Sequence, residues 1–257
     1  MSKKLLNKVN DSFKRMEERG WIKKTPAFLH DYEKKYRQFK PLEDNWEIIQ
    51  QEALALLDFK EQITDLSQIG GGYTKGGVHQ VKWKSYVLKS GVYLEKNCER
   101  CPETTKLLKK LPNISQVFFS ILDPNQHIAT HKGYYYGLLR YHLGLVIPYN
   151  NAENKCWIRI NSDWEDNKQY DKSSIVRGEK YHWREGEGIM FNDNYLHEAK
   201  NETDKVRIVL FIDVARNFPW WIDWVNKLVL KIAYNTPQVK KIAKRSEVDF
   251  DVKPQEF

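Results

Sequence analysis

The 257-residue chain holds only three cysteines, Cys98, Cys101 and Cys156. So few, and an odd number, leave no disulfide framework and fit a reducing compartment. Cys98 and Cys101 stand at CxxC spacing, but no second pair completes a structural zinc site. No apolar run reaches the length of a membrane span, and the opening "MSKKLLNKVNDSFKRMEERG" has none of the continuous apolar core of a signal peptide. A cytoplasmic location is the expectation. The glycine-rich stretch "GGGYTKGG", 70–77, lacks the Gly-Lys-Ser/Thr ending of a phosphate cradle and is read as a loop. The formal net charge is +8, yet the lysines are scattered and no nucleic-acid signature accompanies them. The acidic partner that such a charge asks for is therefore sought among membrane surfaces and small carboxylates, with nucleic acid disfavoured.

What remains is a folded composition with a heavy aromatic load: 41% hydrophobic, 13% aromatic and nine tryptophans, on a chain long enough to bury a sizeable core. Residues 1–40, charged and aromatic without a clear apolar face, read as an N-terminal arm, extended or partly helical. "PLEDNWEIIQQEALALLDF", 41–59, reads as a helix opened by Pro41, with Trp46, Ile49, Ala53 and Leu56 at helical spacing. "CPETTKLLKKLP", 101–112, reads as a second. From about 115 the rhythm changes to short strand-like runs, "SQVFFSIL", "LLRYHLGLVI", "KCWIRI", "KYHWREGEGIMF" and "VRIVLFIDV", separated by Pro, Asn, Asp and Gly. Without helical crossovers between them, they predict an antiparallel sandwich or open barrel. The polar stretch 161–180 reads as a long surface loop, of the kind that lies over a site. The expected organisation is an arm over 1–40, a core domain with N-terminal helices over 41–217, and an amphipathic helix and tail over 218–257.

Polar residues inside the apolar strands carry the chemistry. A strand alternates its side chains, so Arg140 and His142 share a face. A buried cation costs several kcal/mol unless an anion meets it. Arg207 opens a second such face, continued by Val209 and Phe211. Each arginine alone could pair with an internal acid, but three basic groups pointing into one barrel suggest a small dicarboxylate held bidentately. His131 and His197 stand at loop-strand borders. Either histidine by itself is better read as a satisfied surface or core group; their company beside the arginine strands is what points to a metal, and neutral imidazoles suit Fe(II). Asp193, four residues before His197, is read as a turn residue. Trp157, Trp183 and the tyrosines at 134–136 are candidate pocket walls or core.

The order of His131, "LLRYHLGLVIP", the pattern W-x-E-G-E-x-x-x-F-x-D from Trp183 to Asp193, His197-Glu198 and Arg207 resembles the aspartyl/asparaginyl β-hydroxylase family of Fe(II)/2-oxoglutarate dioxygenases. The resemblance covers roughly residues 110–216. Within the family the chain is most similar to the bacterial lipid A 2-hydroxylase branch, through "PLEDNWEIIQQEALAL", "CPETTKLLKKLP" and "HEAKNETDKVRIVLFIDVAR", which extends the similarity back to about residue 41. It implies a mainly β fold with flanking helices, a double-stranded β-helix (jelly-roll, cupin-like) core. It also implies iron on His131 and His197, the far carboxylate of 2-oxoglutarate on Arg207 with help from Ser120, and Arg140 and His142 against the cosubstrate near the metal. Dioxygen is the oxidant, and an unactivated carbon of the substrate is hydroxylated.

One position departs from the usual facial triad. Two residues after the first histidine, where a carboxylate is customary, stands Gly133. The glycine points toward a peptide Asp/Asn hydroxylase, whereas the flanking segments point toward an acyl-lipid hydroxylase. Residues 218–245 set Asp223, Asn226, Lys227 and Lys231 along one helical face and Trp220, Trp221, Trp224, Leu228 and Ile232 largely opposite, the pattern of an interfacial helix with peripheral membrane contact. The leading reading is a hydroxylase of a membrane lipid's acyl chain; the second is β-hydroxylation of Asp or Asn in a peptide; the third is an inactive β-helix that binds an anion or partner.

Overall fold

The computed structural model describes residues 3–65, 81–248 and 250; the glycine-rich stretch 70–77 lies outside them. Ten strands are described: β1 (Trp83–Ser90), β2 (Val92–Tyr93), β3 (Ile114–Leu122), β4 (Gln126–His131), β5 (Leu138–Val146), β6 (Cys156–Asn161), β7 (Glu179–His182), β8 (Gly188–Phe191), β9 (Leu196–Asn201) and β10 (Arg207–Ala215). They form a six-stranded sheet, ordered β2-β1-β3-β10-β5-β8, and a four-stranded sheet, ordered β4-β9-β6-β7.

From β3 onward the pairing is nested. The first strand pairs with the last, β3 with β10; then β4 with β9, β5 with β8, and β6 with β7, all antiparallel. That is one long hairpin. Winding it brings β10 beside β5 and β9 beside β6, so that the ribbon closes into two facing sheets. The result is a double-stranded β-helix, as the family resemblance implies and within the antiparallel sandwich or barrel that the strand pattern predicts.

Alternation along the large sheet explains why its strands are buried on both faces. Val117, Phe119 and Ile121 of β3, Tyr141, Leu143 and Leu145 of β5, and Leu210, Ile212 and Val214 of β10 face outward into one apolar cluster, which also takes Ile49, Ala53 and Leu108 from the covering helices. The other parity faces inward: Phe118, Val209 and Phe211 join Phe191, Ile158, Ile160 and Trp183 between the sheets. Ser120, Arg140, His142 and Arg207 have that inward parity, so the fold alone delivers them to the interior.

The expected helix over 41–59 is broken into Lys40–Glu43, Trp46–Ala55 and a 3-10 stretch Leu56–Gln62. The second helix runs Pro102–Leu108. "KYHWREGEGIMF" is two strands in different sheets, β7 and β8, joined through a turn in which Gly186 takes φ +77°. Within the polar stretch 161–180, a short helix Trp164–Gln169 is capped by the Asp163 carboxylate, which accepts from the Asp166 amide at 2.9 Å. The arm is a correction. Lys3–Glu18 is a helix whose Leu6, Val9, Phe13 and Met16 make an apolar face, packed against Tyr135, Ile222 and Leu230. Its polar residues outnumber that face, which hid it in the sequence.

Candidate active site

β4 and β9 pair so that His131 and His197 are directly opposite, with ring centroids 4.1 Å apart. The sequence reading put both at loop-strand borders, and they are there: His131 ends β4 and His197 is the second residue of β9. The His131 Nδ1 lies 2.8 Å from the Ala129 carbonyl, and the His197 Nδ1 lies 2.9 Å from the Tyr195 carbonyl. A carbonyl only accepts, so Nδ1 carries the proton in each ring and Nε2 presents its lone pair. The His197 Nε2 is buried without a hydrogen-bond partner. Burial pushes the His131 imidazole down to about 4, and burial followed by the charge of His131 holds His197 well below its ordinary value. Two neutral imidazoles side by side, their lone pairs unspent, fit a divalent metal. Among the described residues no third histidine, cysteine or carboxylate completes a metal-binding group.

Arg207 lies on the inward face of β10, only 1% exposed. Its Nη1 donates to the Ser120 carbonyl and hydroxyl oxygens, both at 3.3 Å, long for such bonds, and its Nε has no partner. The guanidinium lies over the Trp183 ring at 4.8 Å. Among the described residues no carboxylate pairs with it, and burial pushes its pKa down to about 10. Ser120 is itself held by the Trp83 indole, which donates to its hydroxyl at 2.8 Å. His142 is buried between Trp183, Phe191 and Phe211 with both ring nitrogens unpaired. Burial first, then the charges of Arg140 and Arg207, keep it neutral. Arg207, His142, His197 and the Trp183 indole thus leave several buried polar atoms without partners in one region of the barrel, the signature of a site built for a polar occupant.

Arg140 differs. Its anions are the chain's own: Asp193 at 2.9 Å and Asp213 at 3.1 Å, with the Phe211 ring 4.3 Å beneath. Asp213 is directly opposite Arg140 in the β5–β10 register. It was legible, because the parity that turns Arg207 inward does the same for position 213. Asp193 is no mere turn residue. It is buried, and burial raises its carboxyl to about 6 against the pull of Arg140. It also accounts for Gly133: a Cβ there would meet all three atoms of the Asp193 carboxyl group inside 3.0 Å. The space that a side chain at 133 would take is filled by the carboxylate of 193.

Of the aromatic candidates, Trp183 alone reaches this region. Trp157 lies under Lys180 and Arg159, at 4.2 and 4.9 Å, and its indole donates to Glu202. Tyr135 and Tyr136 pack into the terminal-helix cluster. Cys98, Cys101 and Cys156 are free and buried.

The sequence matches the family model for aspartyl/asparaginyl β-hydroxylase over residues 43–217. It is 35% identical, over 62% of its length and 51% of the relative's, to an ornithine lipid ester-linked acyl 2-hydroxylase of Rhizobium tropici. It is 29% identical, over 68% of its length and 20% of the relative's, to the human aspartyl/asparaginyl β-hydroxylase. The match thus spans about half the length of the first relative and a fifth of the second. A solved prolyl hydroxylase from Trichoplax adhaerens superposes over 72% of this chain and 80% of that one, at 10% identity and a TM-score of 0.45.

Proposed function

This chain belongs to the aspartyl/asparaginyl β-hydroxylase family, and on that premise we propose that it is an Fe(II)- and 2-oxoglutarate-dependent hydroxylase acting on the acyl chain of a membrane lipid. One observation supports the cosubstrate: Arg207 is a fully buried cation with no acid among the described residues to neutralise it. A dicarboxylate that reaches it repays the burial. His131 and His197 would hold the iron through Nε2. Iron with 2-oxoglutarate and dioxygen supplies an oxidant for an unactivated carbon, with succinate and carbon dioxide released. The protein's own share is binding and exclusion. Arg207, steadied by Ser120, anchors the far carboxylate. His142, kept neutral, offers a ring N–H without adding charge, and Arg140 borders the histidine end of the site, held in place by its two aspartates. Trp183, Phe191 and Phe211 keep water from the reacting atoms.

Similarity to a lipid acyl 2-hydroxylase supports the lipid substrate, and so does the helix Trp220–Tyr234. Its Ile222, Asn226, Leu230 and Tyr234 are buried. The sequence reading put Asn226 on the polar face, but it donates to the Gly137 carbonyl and accepts from the Tyr135 hydroxyl inside the packed face. On the other side Trp220, Trp224, Leu228 and Ile232 are 86, 62, 47 and 49% exposed, one per turn, beside Lys227 and Lys231. No helix among the described residues is long and apolar enough to cross a membrane; this one has the make-up to lie on its surface. The peptide alternative rests on Gly133 and on the similarity to the human enzyme.

Titration of 2-oxoglutarate into the anaerobic Fe(II) protein, read by charge-transfer absorbance, is expected to saturate. Aerobic incubation should then yield succinate, and mass spectrometry of lipids from cells with and without the protein should find one added oxygen. Absence of both saturation and succinate leaves only an inactive anion-binding barrel; oxygen found on peptides instead selects the second reading.

A further inference from the structure

We infer that a pocket beside His131, between the N-terminal helix and the helix Trp164–Gln169, receives the anionic group of the lipid head, a phosphate or carboxylate, with Lys132 and Lys14 as its contacts. The inference rests on the lipid reading above and extends it to the part of the substrate that does not react.

The cavity holds about 180 Å³ and is lined by Lys14, Lys132, Lys168, Trp164, Asn194 and Tyr195, with Glu18 its one acid. Pockets for whole drug-sized ligands start near ~300 Å³, so this volume suits a head rather than a chain. Lys132 is partly buried, and its ammonium donates to the Asn167 carbonyl at 2.8 Å. No acid among the described residues pairs with Lys132, and Lys14 adds a second positive charge nearby. Trp164 already carries another cation, Lys24, 4.9 Å from its ring centre. The wall therefore holds more positive charge than Glu18 can balance, and an anion corrects it.

Position ties the pocket to the reaction. Lys132 stands between His131 and Gly133, and alternate residues of an extended segment point opposite ways, so the segment that turns His131 to the metal site turns Lys132 to the pocket. Asn194 and Tyr195 belong to the same short run as Asp193 and His197. A head held here keeps its attached chain next to the metal-binding histidines.

The Lys14 side chain is exposed, but the helix that carries it is fixed in place. Asn10 clamps the backbone after Gly133, donating to the Tyr134 carbonyl and accepting from the Tyr136 amide, both at 2.9 Å. Glu17 is buried and bonded to both Arg216 and the Tyr136 hydroxyl. Lipid is favoured over an acidic peptide because the helix that carries Lys14 shares an apolar cluster with Ile222 and Leu230 of the helix that exposes the apolar stripe, and its Phe13 is centred 4.7 Å from Phe218, just before that helix.

The test is calorimetric titration of the full chain with octyl phosphate and octanoylglycine, below their micelle concentrations, against octyl glucoside and inorganic phosphate. At least one anionic amphiphile is expected to bind. Lys132→Met should weaken that binding roughly tenfold or more, and Lys14→Met by less. Circular dichroism melts check folding, and the exposed Lys14 carries the test if the Lys132 variant does not fold. Unchanged binding in both variants, equal binding of octyl glucoside, or equal binding of inorganic phosphate would each overturn the assignment. Displacement by an Asp-containing peptide at equal concentration would give the pocket to peptide acids and overturn the lipid head. The 2-oxoglutarate titration is separate: its failure removes the hydroxylase reading and leaves these outcomes intact.

Discussion

Replacing Arg207 by methionine separates two kinds of buried arginine. In a structural ion pair, removing one partner strands the other and costs about 3–5 kcal/mol. Among the described residues Arg207 has no acid to strand, and its only hydrogen bonds there are the two 3.3 Å contacts to Ser120. Without cosubstrate, Arg207→Met should therefore unfold no earlier than the parent in urea, and a gain of about 1–4 kcal/mol is within reach, since a desolvated charge is gone. The cosubstrate reverses the order. Losing a charge-assisted pair to a carboxylate costs on the order of 2–5 kcal/mol, or about 30-fold to a few thousand-fold in affinity. At 100 times its dissociation constant, 2-oxoglutarate should add about 2.7 kcal/mol to the anaerobic Fe(II) parent. At the same concentration the variant should gain less than about 1 kcal/mol. Arg207→Lys, which keeps charge without the planar fork, should fall between them. Urea unfolding with and without 2-oxoglutarate measures every term. A loss of about 3–5 kcal/mol in the cosubstrate-free variant, or equal stabilisation of variant and parent by 2-oxoglutarate, would refute the reasoning.

His131→Ala and His197→Ala should each abolish the visible absorption of bound Co(II) without unfolding the protein; retained absorption in either removes that residue from the metal site. Gly133→Asp collides with the Asp193 carboxyl group, so it should cost about 3–5 kcal/mol as Asp193 leaves Arg140. The double variant Gly133→Asp/Asp193→Gly should recover most of that, and a single variant as stable as the parent would contradict the packing. His142 and His197 are held well below, and His131 at about 4, against an ordinary value near 6.5. The unfolded chain therefore takes up protons first, and stability should fall as pH drops from about 6.5 toward 4. Asp193, raised to about 6, opposes this between about 4 and 6, but it is one group against three. His142→Gln should flatten the slope of urea midpoints by at most about 1.4 kcal/mol per pH unit; an unchanged slope would show that His142 does not contribute. Trp220, Trp224 and Leu228 replaced together by serine should lose co-sedimentation with anionic vesicles, each side chain being worth roughly 1.5–3 kcal/mol of burial.

The apolar strands β3, β5 and β10 were legible because burial on both faces writes continuous apolar runs into the sequence. β4 and β9, which carry the two histidines, were not. "QHIATH" and "LHEAKN" put histidine on the inner face and His127, Glu198 and Lys200 on the outer, where Glu198 accepts from His127 at 2.9 Å. Neither face then reads as apolar, so the polar residues of the candidate site erased the strand signal. β1, "WKSYVLKS", was missed for the same mixture of polar and apolar positions. Asp193 was misread because sequence spacing says nothing about which cation a turn residue reaches. Arg140 meets it only after β5 pairs with β8, and Gly133 only after β4 pairs with β9.

β10 is the last of the described strands, yet it lies in the middle of the large sheet between β3 and β5. A ribosome therefore releases the barrel incomplete until residue 215 has emerged, and the seam between β3 and β5 stays open to other strands until then. The contacts that close it join residues about 60 to 100 positions apart, so the step should be slow on the scale of small domains. Arg207 and His197 arrive with these final strands. On the proposed assignment, no nascent chain shorter than this could hold metal or cosubstrate, and binding would report that the whole barrel has closed.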